Sequence, residues 1–400
     1  MTTDRLILTN VRAVLPDRVV HDATIVCDQG RIEEITERVS HRDGIDGHGA
    51  LCLPGLVDTH SDGLEKELRP RRTSAFPLLF ALTSFEGRLR AAGITTVYHG
   101  VGFEERPDYG RTLDQARAVV QAIADRRPAE PAVDHRLLYR LEARSQDGLA
   151  TIEPQLHALS DWIDGSPPVP PLMSFEDHTP GQGQYRDVER FARAIDPSTL
   201  PEGQTVEDVV ERRIAEANAK LHLRDRNLAG VRRLAGAGEV TLLAHDIETA
   251  EQVETAAQDW GARIAEFPLT VSAARRAIEL DMAVVAGAPN VVLGGSHSGN
   301  VSAAELVANR CCTALASDYQ PSTMLAAAFL LAANRIVDLA GAVRLVTDGP
   351  AQLAGLTDRG RLEVGRRADL TLVDDRGAWP VVVGASRARR DAADLVASLV

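Results

Sequence analysis

LPGLVDTHSD, residues 53–62, decides how this chain is read. A short apolar strand ends at Pro54-Gly55. A second, VDTH (57–60), starts at once and runs into His60-Ser61-Asp62. Seven more strand-like apolar runs follow: ITTVYHG (94–100), RLLYRLEA (136–143), PLMSFEDH (171–178), VTLLAHD (240–246), RIAEFP (263–268), MAVVAG (282–287) and TALASD (313–318). Helix-like stretches such as 111–127, 247–260, 271–281 and 324–340 lie between most of them. Eight strands alternating with helices predict an α/β fold, a (β/α)₈ TIM barrel. A doubly wound sheet competes, but no GxGxxG turn follows any early strand.

Outward from this middle, both chain ends change character. Residues 5–53 read as short strands with alternating apolar positions and Gly/Asp turns, and residues 360–384 read the same way. Two β-rich ends around one long middle predict a small composite β-sandwich domain. The expected organisation is 1–54 as its first half, 55–352 as the barrel, and 353–400 as its second half with a C-terminal tail. The polar, helix-like stretch 179–235 is expected to form a helical excursion above the barrel.

Composition narrows the class. Of 400 residues, 44% are apolar and 25% charged, as in an ordinary soluble domain. The four cysteines show no CxxC spacing, so a reduced, cytoplasmic protein is expected. No basic-then-apolar leader opens the sequence and no uncharged apolar run reaches membrane-spanning length. A net charge of −13 argues against nonspecific nucleic-acid binding, though local arginines or metals could still serve a phosphate-bearing small molecule. The expected partners are a small-molecule substrate, no nucleic acid, no membrane, and copies of the chain itself if it is a homo-oligomer.

Side chains at the C-terminal ends of barrel strands converge on one mouth. A single His or Asp there is usually a capping residue, but here the pattern repeats. His60, Asp62, Glu142, His178, His245 and Asp318 together match the nitrogen and oxygen ligands of a metal-assisted hydrolytic site. His99 and His297 remain candidate supporting or substrate contacts. The run 63–72 places Lys66, Arg69, Arg71 and Arg72 just beyond the first ligands, and Arg140 or Arg144 could reach substrate from the third strand. The run 286–300, AGAPNVVLGGSHSGN, offers backbone N–H groups and small donors at Gly295, Ser296, Ser298 and Asn300 that suit an anion.

These stretches resemble a known family. LPGLVDTHSD, AAGITTV (91–97) and TDGPAQLAGLTDRGRLEVGRRADLTLVD (347–374) resemble the amidohydrolase superfamily. HSDGLEK, SFEDHTPGQGQY, LLAHD, IAEFP, GAPNVVLGGSHSGN and ASDYQPS resemble its branch of diphosphatases in phosphonate metabolism. The resemblance implies two divalent ions, zinc first, with manganese, iron or nickel as alternatives. It implies hydrolysis of a ribose 5-triphosphate phosphonate to the 5-phosphate and pyrophosphate, by metal-bound hydroxide at the α-phosphorus. Asp318 would handle the proton, and His297 would touch phosphate or donate a proton. Many members bridge their metals with a carboxylated lysine. This chain has only Lys66 and Lys220, neither at an inner strand end, so Glu142 is the expected bridge. His-x-Asp in place of the commoner His-x-His makes Asp62 a harder oxygen ligand. The superfamily commonly takes histidines from its fifth and sixth strands, which leaves His178 and His245 in question. The alternative on the same barrel is a C–N hydrolase, a cyclic amidase, a deaminase or an N-acyl hydrolase, but the arginine-rich loops favour phosphate.

Overall fold

The computed structural model describes residues 5–387 apart from 39, 41–43, 72–73, 107–109, 130, 157–168, 184–187, 194, 196–199, 201–202 and 297–298. The two chain ends meet in one seven-stranded sheet. Its strands are β1 (Leu6–Val14), β2 (Val19–Asp28), β3 (Arg31–Thr36), β4 (Ile45–Asp46) and β5 (Leu51–Pro54) from the start of the chain, with β14 (Leu370–Asp374) and β15 (Val381–Ser386) from its end. The order is β15-β14-β5-β1-β2-β3, and β4 pairs with β1. The seam between the ends is antiparallel, Leu370 opposite Pro54 and Val373 opposite Leu51.

Gly55 alone separates this sheet from the barrel. Eight parallel strands follow in sequential order: β6 (Leu56–Ser61), β7 (Ile94–Gly102), β8 (Asp134–Glu142), β9 (Leu172–Glu176), β10 (Thr241–His245), β11 (Ile264–Glu266), β12 (Ala283–Gly287) and β13 (Ala314–Ala316). Each of the eight runs expected to be a strand contains one. The barrel closes between its last and first strands through a parallel bridge, Ser61 to Asp318. Asp58, fully buried in β6, reinforces that seam by accepting from the backbone N–H and the hydroxyl of Ser317. Burial raises its carboxyl to about 6.

Helices cover the outside. They are α1 (Gly63–Leu68), α2 (Leu78–Ala91), α3 (Leu113–Arg126), α4 (Gly148–Ile152), α5 (Val188–Arg193), α6 (Val206–Ala219) and α7 (Leu221–Gly236), then α8 (Ala250–Thr255), α9 (Val271–Glu279), α10 (Ala288–Val292), α11 (Ala303–Ala308), α12 (Thr323–Ala333), α13 (Leu339–Arg344) and α14 (Asp348–Leu353). Their sequences explain their starts. Thr112, Thr249, Thr270 and Ser302 each accept from a backbone N–H three residues on, as N-caps do. Alternation along the strands sorts the apolar residues into two sets. Val57, Tyr98, Leu138, Leu172, Leu243, Ile264, Val285 and Ala314 fill the barrel interior, and a larger set packs between strands and helices. The stretch 179–235 does carry helices, α5, α6 and α7. Among the described residues no helix is long and apolar enough to cross a membrane.

Candidate metal centre

At the C-terminal ends of the strands lies a cavity of about 540 Å³. At its base, among the described residues, lie two groups of metal-type donors, each with donor atoms within 4.8 Å of one another: His60, Asp62 and Asp318, and His178 and His245 with Glu176 just beneath the lining. β6 delivers His60 and its following turn Asp62. β9 delivers Glu176 as its last residue, with His178 two beyond; β10 ends on His245; Asp318 lies two past β13. Asp246, Phe267 and Asp318, which follow three of these strands, hold positive φ of 56°, 52° and 55° although none is glycine. Such backbone is strained for an L-residue and clusters where side chains must be aimed.

The imidazoles are held from behind. Nδ1 of His60 and Nδ1 of His245 each donate to Glu266 at 2.7 Å, and Nδ1 of His178 donates to Glu142 at 2.9 Å. Such carboxylate–histidine pairs leave Nε2 for a metal. Arg140 lies across the two donor groups. Its guanidinium donates to both oxygens of Asp62 at 2.6 and 2.7 Å and to both oxygens of Glu176 at 2.9–3.2 Å. Gly100 on β7 makes room for this pair: a Cβ there would sit 2.6 Å from Oδ1 of Asp62 and 3.0 Å from Cδ of Arg140.

The charge of the centre fits a cation. Burial disfavours every charged group here, yet all three histidines hold their protons more tightly than usual. His60 is raised well above the ordinary value by Glu266 and Asp62 against the effect of burial. His245 is raised to about 9 by Asp246, Glu176 and Glu266, again against burial, and His178 is raised chiefly by Glu142. Glu176 is held down at about 2, because Arg140 and the nearby imidazoles outweigh its burial. The centre is therefore rich in carboxylate, with imidazole nitrogens interleaved, which is the donor set that divalent ions of the zinc type select.

The matches to known proteins agree with this geometry. A model described as the amidohydrolase family matches residues 87–399. The chain belongs to the amidohydrolase family. It is also 34% identical, over 372 residues, to the alpha-D-ribose 1-methylphosphonate 5-triphosphate diphosphatase of Escherichia coli, covering 92% of this chain and 94% of that one. In fold it is similar to a zinc-bound adenosine deaminase from Xanthomonas campestris, with TM-score 0.58, 18% identity and coverage of 98% and 96%. It is likewise similar to the N-acetyl-D-glucosamine-6-phosphate deacetylase of Mycobacterium smegmatis, with TM-score 0.59, 16% identity and coverage of 96% and 99%. Family membership and the two donor groups together make this amidohydrolase a metal-dependent hydrolase.

Within the family frame, most residues expected from the sequence converge and some do not. His60, Asp62, His178, His245 and Asp318 all reach the cavity floor. Glu142, expected to bridge metals, instead stands behind His178, accepting from both its ring and its backbone N–H. Glu176 occupies the donor group in its place. Lys66, Ser296 and Asn300 line the cavity, but Arg69, Arg71 and Gly295 do not. After α1 the chain turns away, closed by Phe76 N–H on the Leu68 carbonyl, and carries Arg69 and Arg71 with it. The N–H of Gly295 is spent on the carbonyl of Asn290, so it offers nothing to an anion. Arg72, His297 and Ser298 lie outside the described residues.

His99 faces away from the mouth. It lies tilted against Phe85, and it stacks on His135 and bonds it at 2.8 Å between barrel and helices. Arg140, not Arg144, reaches the cavity; Arg144 is tied to Asp177 and the Ala217 carbonyl. The cavity also draws basic side chains the sequence reading did not single out: Arg106 and Arg111 from the segment after β7, and Arg213 from α6, which lies over the Phe191 ring at 5.5 Å.

Proposed function

We propose that this amidohydrolase is a diphosphatase that cleaves a ribose 5-triphosphate phosphonate to the 5-phosphate and pyrophosphate. The observation that carries the reading is that Lys66, Arg106 and Arg213 line the same cavity as the metal-type donors. Its support from outside the chain is the extended similarity to the Escherichia coli diphosphatase.

Arg111 is held by Glu65 and Glu104, and Arg140 by Asp62 and Glu176, so both act as structural cations that keep acids in place. Lys66, Arg106 and Arg213 approach from α1, from the segment after β7 and from α6, three sides of one cavity. Charge-assisted bonds from such groups suit the oxygens of a departing pyrophosphate, whose negative charge grows as the bond breaks. Divalent ions, two in number with zinc first among the candidates, would be held by His60, Asp62 and Asp318 and by Glu176, His178 and His245, and would supply Lewis acidity and a lowered water pKa. Asp318 is aimed by its left-handed backbone and by the N–H that it donates to the His60 carbonyl, and its carboxylate takes the proton of the attacking water. Ser296 and Asn300, from the segment after β12, offer neutral donors to phosphate or sugar oxygens. His297, between Ser296 and Ser298 in sequence, is assigned a phosphate contact or the donation of a proton.

The test is direct. Metal-loaded protein is offered a ribose 5-triphosphate phosphonate beside a panel of cyclic amides, N-acyl compounds and amines, with pyrophosphate and ammonia assayed. Pyrophosphate from the first substrate alone is expected. Turnover of an amide or amine with no pyrophosphate would replace this reading with C–N hydrolysis.

A further inference from the structure

Glu266, the last residue of β11, belongs to neither donor group, yet it is only 1% exposed. A buried carboxylate is costly unless its oxygens are bonded. Three donors meet it: Nδ1 of His60 at Oε1 (2.7 Å), Nδ1 of His245 at Oε2 (2.7 Å) and the Ser174 hydroxyl at Oε2 (2.6 Å). His60 belongs to one donor group and His245 to the other. A single side chain therefore spans both halves of the centre.

We infer that Glu266 is the positioning residue that fixes His60 and His245 with hydrogen on Nδ1 and so presents both Nε2 atoms to the metal centre. This rests on the metal-dependent reading of the site and adds a residue to it. An ionised carboxylate accepts and cannot donate, so each ring nitrogen facing it carries the hydrogen. Nε2 of His60 is 3.6 Å from Oδ1 of Asp62 in its own donor group; Nε2 of His245 is 3.7 Å from Oδ1 of Asp246, while its Nδ1 also lies 3.8 Å from Oε1 of Glu176. Phe267 packs against both rings, at 5.0 and 5.4 Å between centroids, and restrains their rotation. Ring position is thus shared between packing and Glu266, but tautomer is decided by Glu266.

The geometry makes an asymmetric prediction. Glutamine has one accepting oxygen and one donating NH₂. Two donors meet at Oε2 and one at Oε1, so the amide oxygen of Glu266→Gln turns to Ser174 and His245, and its NH₂ faces His60. His60 must then accept at Nδ1 and carry its hydrogen on Nε2, where it cannot ligate. The group of His60, Asp62 and Asp318 is weakened first.

The experiment titrates the full-length, metal-free chain with cobalt(II) and with zinc in chelator competition. Glu266→Gln is expected to bind about 10–100-fold more weakly. Its cobalt d–d spectrum is expected to shift with the loss of an imidazole nitrogen, while circular dichroism keeps the wild-type fold. Wild-type affinity and an unchanged cobalt spectrum in Glu266→Gln overturn the role and leave the hydrolase reading standing. A wild-type chain that takes up neither ion overturns both. If Glu266→Gln does not fold, ¹⁵N-histidine spectra of the zinc-loaded wild type decide. Slowly exchanging Nδ1–H protons on His60 and His245 are expected, and their absence overturns the role.

Discussion

The smallest residue at the centre sets how close its charged neighbours stand. Gly100 lets Arg140 and Asp62 meet at 2.6 Å across the strand that separates them. Gly100→Ala places a methyl where the Asp62 carboxylate lies, and backbone on β7 cannot retreat without disturbing β6. Overpacking of this kind costs about 1–3 kcal/mol. The variant is expected to fold, to lose that much stability in urea titrations, and to lose most of its hydrolytic kcat because Asp62 is displaced; wild-type turnover would show that Asp62 can move freely. At this scale the site was partly legible. His60, Asp62, His178, His245 and Asp318 stood out because a polar residue ended an apolar run. Glu176 lies inside SFEDH, but an apolar run taken to end on Asp177-His178 hides that β9 ends on Glu176, and the absence of a strand-end lysine points to Glu142 instead. Glu266 was the clearer missed signal: a lone carboxylate in the apolar run Ile264-Ala265-Glu266 must be buried, and a buried acid must have partners. Arg106, Arg111 and Arg213 were hidden because loops and a remote helix bring them in, and sequence spacing carries no trace of that.

Elements pack here through polar links as well as apolar faces. Glu86 on α2 accepts from Arg126 at the end of α3 (2.7 and 3.0 Å), from the Ala132 N–H (2.8 Å) and from Nε2 of His135 on β8 (3.3 Å). These donors outweigh burial and hold its carboxyl at about 2, below the ordinary 4.5. A depressed acid contributes stability that is complete above its unfolded value and fades as pH falls toward its folded one. The link should therefore be at full strength above pH 4.5 and lost progressively toward pH 2. Glu86→Gln is expected to be less stable than wild type by on the order of 2 kcal/mol at pH 6, with the gap narrowing through pH 4 to 3. Urea midpoints over that range check it, and a gap independent of pH would place the effect in packing. The elements themselves were the most legible part of the sequence. Strand periodicity and the Thr and Ser caps are local properties, so all eight barrel strands could be read without knowing their neighbours. The seam of β5 with β14 depends on residues more than 300 positions apart, and only the likeness of the two chain ends hinted at it.

Across the whole molecule, stability and chemistry are kept at opposite ends of the barrel. The metal centre occupies the C-terminal mouth, while Asp134 opens β8 at the other end and is fully buried. Arg359, in the segment that returns the chain to the sheet, donates to Asp134 at 2.8 Å and to the Thr96 hydroxyl at 3.0 Å. Its own neighbour Asp358 holds its Nε at 2.9 Å. This cation thereby joins the returning segment to two barrel strands, and Asp134 keeps its charge well below the usual carboxylate range, against burial, because Arg136 and Arg359 face it. Arg359→Leu removes one partner and leaves a buried acid underpaired, which costs about 3–5 kcal/mol. Asp134→Asn in the same chain removes the stranded charge and should recover part of that loss, since the two residues are coupled. Because the pair lies far from the mouth, Arg359→Leu is expected to lower the thermal midpoint while zinc affinity, measured well below that midpoint, stays within a few-fold of wild type. An equal loss of metal binding would mean instead that the returning segment sets the geometry of the mouth, and that the two ends of the barrel are not independent.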